Sequence, residues 1–125
     1  MQPKDLQKYK EQAVNTMTPG ELLLVLYSEL TKRLTQAQLA LDKENYPIFE
    51  DALDRASNIV QYLDDTLDRN YEISTNLSQL YEYFTYELTR AKIGRHKDRI
   101  ERVCSMAREL QSAFEQANNS VKAGE

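Results

Sequence analysis

The chain has 125 residues, of which 41% are apolar and 29% charged, the balance of one folded core rather than of a disordered segment. Three glycines and three prolines are too few to punctuate an all-β sandwich, and no run of about 18 apolar residues is present to span a membrane as a helix. A formal net charge of −4 argues against nonspecific nucleic-acid binding, which needs clustered cations to displace counterions.

In chain order, Met1-Gln2-Pro3-Lys4-Asp5 has no apolar signal core, so a cytoplasmic protein is expected. Residues 1–17 read as an N-terminal cap segment, with a short amphipathic helix from Leu6 to Met17. Thr18 then serves as N-cap to Pro19, whose missing N–H would be unsatisfied at that position anyway, and Glu21 stands at N3 as in a capping box. Leu23, Leu26, Tyr27, Leu30, Leu34, Ala37 and Leu41 follow on one stripe, predicting a helix over about 19–42. Asn45 caps the next helix with Pro47 in its first turn. Its stripe is Phe49, Ala52, Leu53, Ala56, Ile59, Val60, Leu63 and Leu67.

Arg69 to Ile73 breaks the pattern, and Ser74 or Thr75 is the expected next cap. Leu77, Leu80, Tyr81, Phe84, Leu88 and Ala91 line the third long helix, which Gly94 is expected to stop through a left-handed cap. The last helix carries Ile100, Val103, Cys104, Ala107, Leu110, Phe114 and Ala117, and residues 118–125 read as a frayed tail. Four long amphipathic helices with short loops predict an all-α, up-down antiparallel four-helix bundle, a single domain over 1–125 with the short N-terminal cap helix.

Chemistry-bearing motifs are sparse. Cys104 is the lone cysteine, so no internal disulfide or cysteine zinc cage can form, and its place on an apolar stripe makes it a buried, inert thiol. His96 is the only histidine and no Glu-x-x-His occurs, which excludes the di-iron bundles. No metal, no cofactor and no catalytic residue are predicted. A histidine phosphotransfer bundle using His96, with Lys97 and Arg99 nearby, is the competing enzymatic reading; a solvated histidine at a helix start is the plainer one.

The pattern exceeds what a core needs at two places. Leu22 to Tyr27 are all apolar, and at 100° per residue Leu24 and Val25 point away from the stripe. Either the N-terminal piece (Leu6, Tyr9, Val14) folds over them or a partner does. Tyr83 and Tyr86 project opposite the third helix's stripe, and eight tyrosines without a tryptophan suit surfaces that are dry on one side and hydrogen-bonded on the other.

These residues resemble the flagellar export chaperone FliS family over nearly the whole chain. The resemblance rests on Tyr9, Val14-Asn15-Thr16, and Thr18-Pro19-Gly20-Glu21-Leu22 leading to Leu26-Tyr27. It continues through Ala56-Ser57-Asn58-Ile59-Val60, Leu63-Asp64-Asp65-Thr66-Leu67-Asp68 and Asn76-Leu77-Ser78-Gln79-Leu80-Tyr81-Glu82-Tyr83. Thr18 stands where serine is commoner, and Phe114 where tryptophan is frequent. The resemblance implies a non-catalytic cytoplasmic chaperone that holds the C-terminal segment of flagellin, prevents premature polymerisation and supports type III export. The export gate and flagellar regulators are further implied partners. A helical adaptor without a flagellin client is the remaining alternative. The expected client contacts are Leu22, Leu24, Val25, Tyr83 and Tyr86, with Tyr9, Val14 and Tyr71 added by resemblance and exposure. The N-terminal cap is expected to shift when the client binds.

Overall fold

The computed structural model describes residues 17–123. The predicted N-terminal cap helix, with Tyr9 and Val14, lies outside that range. Among the described residues there are four helices and no strand: α1 Pro19–Asp42, α2 Tyr46–Asp65, α3 Ile73–Gly94 and α4 Lys97–Ala123.

Local chemistry sets the boundaries. Thr18 is extended, with φ −68° and ψ 159°, and its hydroxyl oxygen accepts the Glu21 N–H at 3.1 Å. This satisfies one of the donors that the first helical turn leaves open. α1 ends in a Schellman turn, in which Glu44 N–H reaches Leu41 C=O at 3.0 Å and Asn45 N–H reaches Ala40 C=O at 2.8 Å. Glu44 takes the left-handed conformation there, at φ 56°. Asn45 then turns round to cap α2, its Oδ1 accepting Ile48 N–H at 3.4 Å.

Four predicted boundaries are corrected. α2 stops at Asp65 rather than carrying Leu67: Thr66 is its C-cap, and the Thr66 N–H makes the last helical bond to Tyr62 C=O at 3.0 Å. α3 begins at Ile73, and neither Ser74 nor Thr75 caps it. Ser74 is buried instead, and its Oγ donates to Tyr71 C=O at 2.7 Å. The left-handed residue after α3 is Arg95, at φ 56° and ψ 47°, not Gly94. Beside Gly94, the exposed His96 ring occupies the space where a Cβ would stand. The expected frayed tail is helical through Ala123, with Asn118 packed against Gly20 at the start of α1.

Each helix packs chiefly on its neighbours in the ring α1–α2–α3–α4–α1, the last contact joining the first helix to the fourth. Cross-helix contacts set the antiparallel register of α1 and α4: Lys97 with Asp42 at 2.9 Å, Arg108 with Thr35 at 3.3 Å, and Phe114 with Tyr27 at 5.5 Å between ring centres. The described structure is the predicted antiparallel helical bundle. Tyr27, Leu30, Leu34, Phe49, Leu53, Val60, Leu63, Tyr81, Phe84, Leu88, Ile100 and Val103 fill the core. Cys104 is free and buried on the expected stripe.

Two polar features sit in this apolar interior. Tyr27 and Tyr81 are 0% and 1% exposed, and their hydroxyls lie 2.7 Å apart. Burial, the neighbouring phenol and the hydrogen bond together push the Tyr27 hydroxyl far above the ordinary phenol range, and burial raises Tyr81 as well. Glu87 is buried between α3 and α4, with one oxygen 2.9 Å from Arg99 and the other 3.5 Å from Arg102. Its Oε2 has no hydrogen-bond partner.

Candidate client-binding groove

The seven residues between α2 and α3, Thr66 to Glu72, leave one end of the bundle incompletely covered. A groove of about 270 Å³ opens there. Leu22, Leu23 and Leu26 of α1 form one wall, and Tyr62 and Leu63 at the end of α2 form the other. Leu67 and Leu77 close the loop side, while Tyr81 and Phe114 lie at the base. The lining is dominated by aliphatic and aromatic side chains, with Thr66 and Asp68 at the edge.

The floor of this groove is held rigidly. Phe114 packs on Tyr27 at an interplanar angle of 44°, and Tyr27 is hydrogen-bonded in turn to Tyr81. Asp64 ties α2 to α3 just beside it, accepting from Ser78 Oγ at 2.7 Å and lying 3.4 Å from Arg69 Nη2. Tyr62 remains exposed at the rim. Such a surface can bury apolar side chains of a partner, each contributing about 1.5–3 kcal/mol on full burial. It offers neither a nucleophile–base pair nor a metal-ligand cluster: no group of three His, Cys, Asp or Glu side chains suited to a metal occurs among the described residues.

The sequence-predicted contacts do not form one patch. Leu22 lies in the groove. Leu24 is half-buried and Val25 is 36% exposed, and neither lines it. Tyr71 is exposed in the α2–α3 loop, its N–H donating to the C=O of the groove residue Asp68 at 3.3 Å. Tyr83 departs from the expectation that it projects away from the core. It is half-buried against the core edge, its ring 6.4 Å from Phe84. Tyr86 is exposed as expected, with the Arg90 guanidinium 4.7 Å from its ring centre.

Sequence reasoning had no warrant to group Tyr62, Leu67, Leu77 and Phe114 with Leu22. Leu67, Leu77 and Phe114 read as stripe residues, and they come together at a shared opening only in the folded bundle. Tyr62 is the one signal a helical wheel could have given, being a large apolar side chain off its stripe. His96, the phosphotransfer candidate, is exposed in the two-residue turn between α3 and α4 and stacks over Gly94. A phosphotransfer histidine would be expected on a helix flank instead.

Comparison with known proteins closes the description. The family model described as flagellar protein FliS matches residues 2–121. A flagellar secretion chaperone FliS from Bacillus subtilis is 33% identical over 114 residues, covering 91% of this chain and 86% of the relative. The protein of the same name from Salmonella typhimurium is 31% identical over 109 residues, covering 85% and 81%. That from Vibrio cholerae is 27% identical over 117 residues, covering 89% and 86%.

Proposed function

We propose a function from one premise: the chain belongs to the flagellar protein FliS family. The protein acts as a flagellar secretion chaperone. In the cytosol it holds the C-terminal segment of flagellin, keeps that segment from polymerising early, and delivers it for type III export. The work is binding, with no catalytic step.

The observation that carries this reading is the apolar groove at the open end of the bundle, walled by Leu22, Leu23, Leu26 and Tyr62. A segment that later assembles with its own kind has an apolar face that must be masked beforehand. A shallow groove suits that task, because the client has to be released again and a deep, tight site would oppose release. Tyr71 lies beside Asp68 at the groove edge. Val25 and Tyr86 would serve a client that continues round the bundle, and Leu24 and Tyr83 contribute mainly through their exposed edges. Tyr9 and Val14 stay in the proposal as N-terminal contacts or competitors. The export gate and flagellar regulators are secondary partners of the loaded or empty chaperone.

The test is complex formation between the purified protein and flagellin, followed by size-exclusion chromatography. Full-length flagellin is expected to co-elute, and flagellin lacking its C-terminal segment to elute alone. Equal co-elution of the two would sink the reading.

A further inference from the structure

We propose that the outer face of α1 is a second docking surface, fitted to an acidic amphipathic helix of a partner protein. A groove of about 610 Å³ follows α1 from Ser28 to Lys43 and is flanked by Ile48 at the start of α2 and by Arg108 of α4. It shares no residue with the groove at the other end of the bundle, so the proposal stands whether or not flagellin occupies that one.

Two properties single this face out. The first is apolar: Leu39 is 56% exposed and Ile48 43% exposed, and both line the same groove although they belong to different helices. A large aliphatic side chain left wet is unremarkable alone, but two that share one concave surface make an anchor for apolar residues of a partner. The second is electrostatic. The chain carries 20 acidic residues against 16 basic ones, yet Lys32, Lys43 and Arg108 line this groove and no carboxylate does.

The arrangement of ion pairs keeps the face positive. The two carboxylates of α1 within this stretch are engaged elsewhere, Glu29 with Arg33 at 3.7 Å and Asp42 with Lys97 at 2.9 Å. Lys32 and Lys43 make no ion pair among the described residues. Arg108 is held over the groove by its hydrogen bond to Thr35 Oγ1 at 3.3 Å. A partner with carboxylates on both sides of an apolar strip would meet cations along the groove and Leu39 and Ile48 in it. The span from Ser28 to Lys43 is ~24 Å along the helix axis, the length of about four turns of a docked helix. Helix-in-groove recognition of this kind is read from anchors at i, i+3, i+4 and i+7.

The probe is a synthetic helical peptide of about four turns with leucines at that spacing and glutamates flanking them. Fluorescence anisotropy against the whole protein should show saturable binding that weakens as salt is raised. The Lys32→Glu, Lys43→Glu double variant and the Leu39→Asp variant should each weaken it about tenfold or more. Leu22→Asp should leave it unchanged. All three sites are accessible enough to be altered without touching the core, and a retained cooperative melt verifies this. Absence of saturable binding overturns the proposal. So does equal binding of a lysine-flanked version of the peptide, or equal binding of a glutamate peptide without leucines. Loss of binding in Leu22→Asp with retention in the lysine variants would assign the peptide to the other groove and overturn it as well.

Discussion

The hydroxyl of Tyr27 lies 2.7 Å from that of Tyr81, across the bundle's interior. This bond joins α1 to α3, helices that are not adjacent in the ring of packed neighbours. Each hydroxyl is the other's solution to burial, because a phenol shut away from water without a partner loses its hydrogen bond for nothing. The pair also lies under the candidate groove, whose base Tyr81 forms.

Replacing one member should therefore cost more than replacing both in proportion. Tyr27→Phe or Tyr81→Phe alone is expected to lose about 1–3 kcal/mol, since the remaining hydroxyl is left unpaired. The double variant should lose clearly less than the sum. Urea unfolding of the four proteins gives the coupling energy directly; strict additivity would mean that the hydroxyls do not support one another.

The same pair predicts the alkaline limit of the fold. Both phenols have folded-state pKa values raised above the ordinary value, with burial the leading cause. Their stabilisation is thus complete below about pH 10 and declines as pH rises beyond it, where only the unfolded chain can ionise. For Tyr27, whose pKa lies far above this range, the decline approaches roughly 1.4 kcal/mol per pH unit. Urea midpoints between pH 8 and pH 11 should fall in the parent and fall much less in the double phenylalanine variant.

Glu87 predicts an asymmetry. Its carboxylate is buried, while Arg99 and Arg102 are 28% and 51% exposed and can turn to water. Glu87→Met should therefore cost little, about 1 kcal/mol or less, or even stabilise. Arg99→Met combined with Arg102→Met leaves the carboxylate uncompensated and should cost about 3 kcal/mol or more. Thermal melts at neutral pH rank the two; the opposite order would mean that the carboxylate reaches solvent.

The two left-handed turns respond to glycine in different ways. Glu44→Gly should stabilise by about 1 kcal/mol, because glycine removes the Cβ penalty at φ 56°. Arg95→Gly should gain less, since it also removes the guanidinium that stacks 3.5 Å from the Tyr46 ring centre. Gly94→Ala should cost little, because the exposed His96 ring can swing into solvent and alanine favours the helix. Thermal denaturation of the three variants tests the whole set.

Core and groove should separate in mutation. Leu30→Ala, at a fully buried position, should lose about 2–5 kcal/mol of stability. Leu22→Asp with Tyr62→Ala should leave the helical melt largely intact and weaken binding of a flagellin C-terminal peptide about tenfold or more. Circular dichroism and a titration on the same samples distinguish the outcomes.

The residues that make helices were readable because their signals are local. Thr18, Pro19, Asn45 and Pro47 mark their starts within a few positions, and the stripe from Leu23 to Ala37 repeats at the helical period. Gly94 was readable as the end of its helix, but the left-handed residue lies one position on, at Arg95. Tyr27 and Tyr81 were readable as stripe residues, yet nothing in either stripe says that two hydroxyls 54 positions apart will meet. The groove was the least legible part. It depends on α2 stopping at Asp65 and on all four helices converging, and periodicity within one helix carries no information about either.

The ring of contacts also constrains when this protein can fold. α1 packs against α2, which follows at once, and against α4, whose side of the core includes Ile100, Val103 and Phe114. Until α4 emerges, α1 has only one of its two packing partners, and the part of its apolar stripe that faces α4 stays wet. Closure of the core waits on the most sequence-distant contact in the bundle.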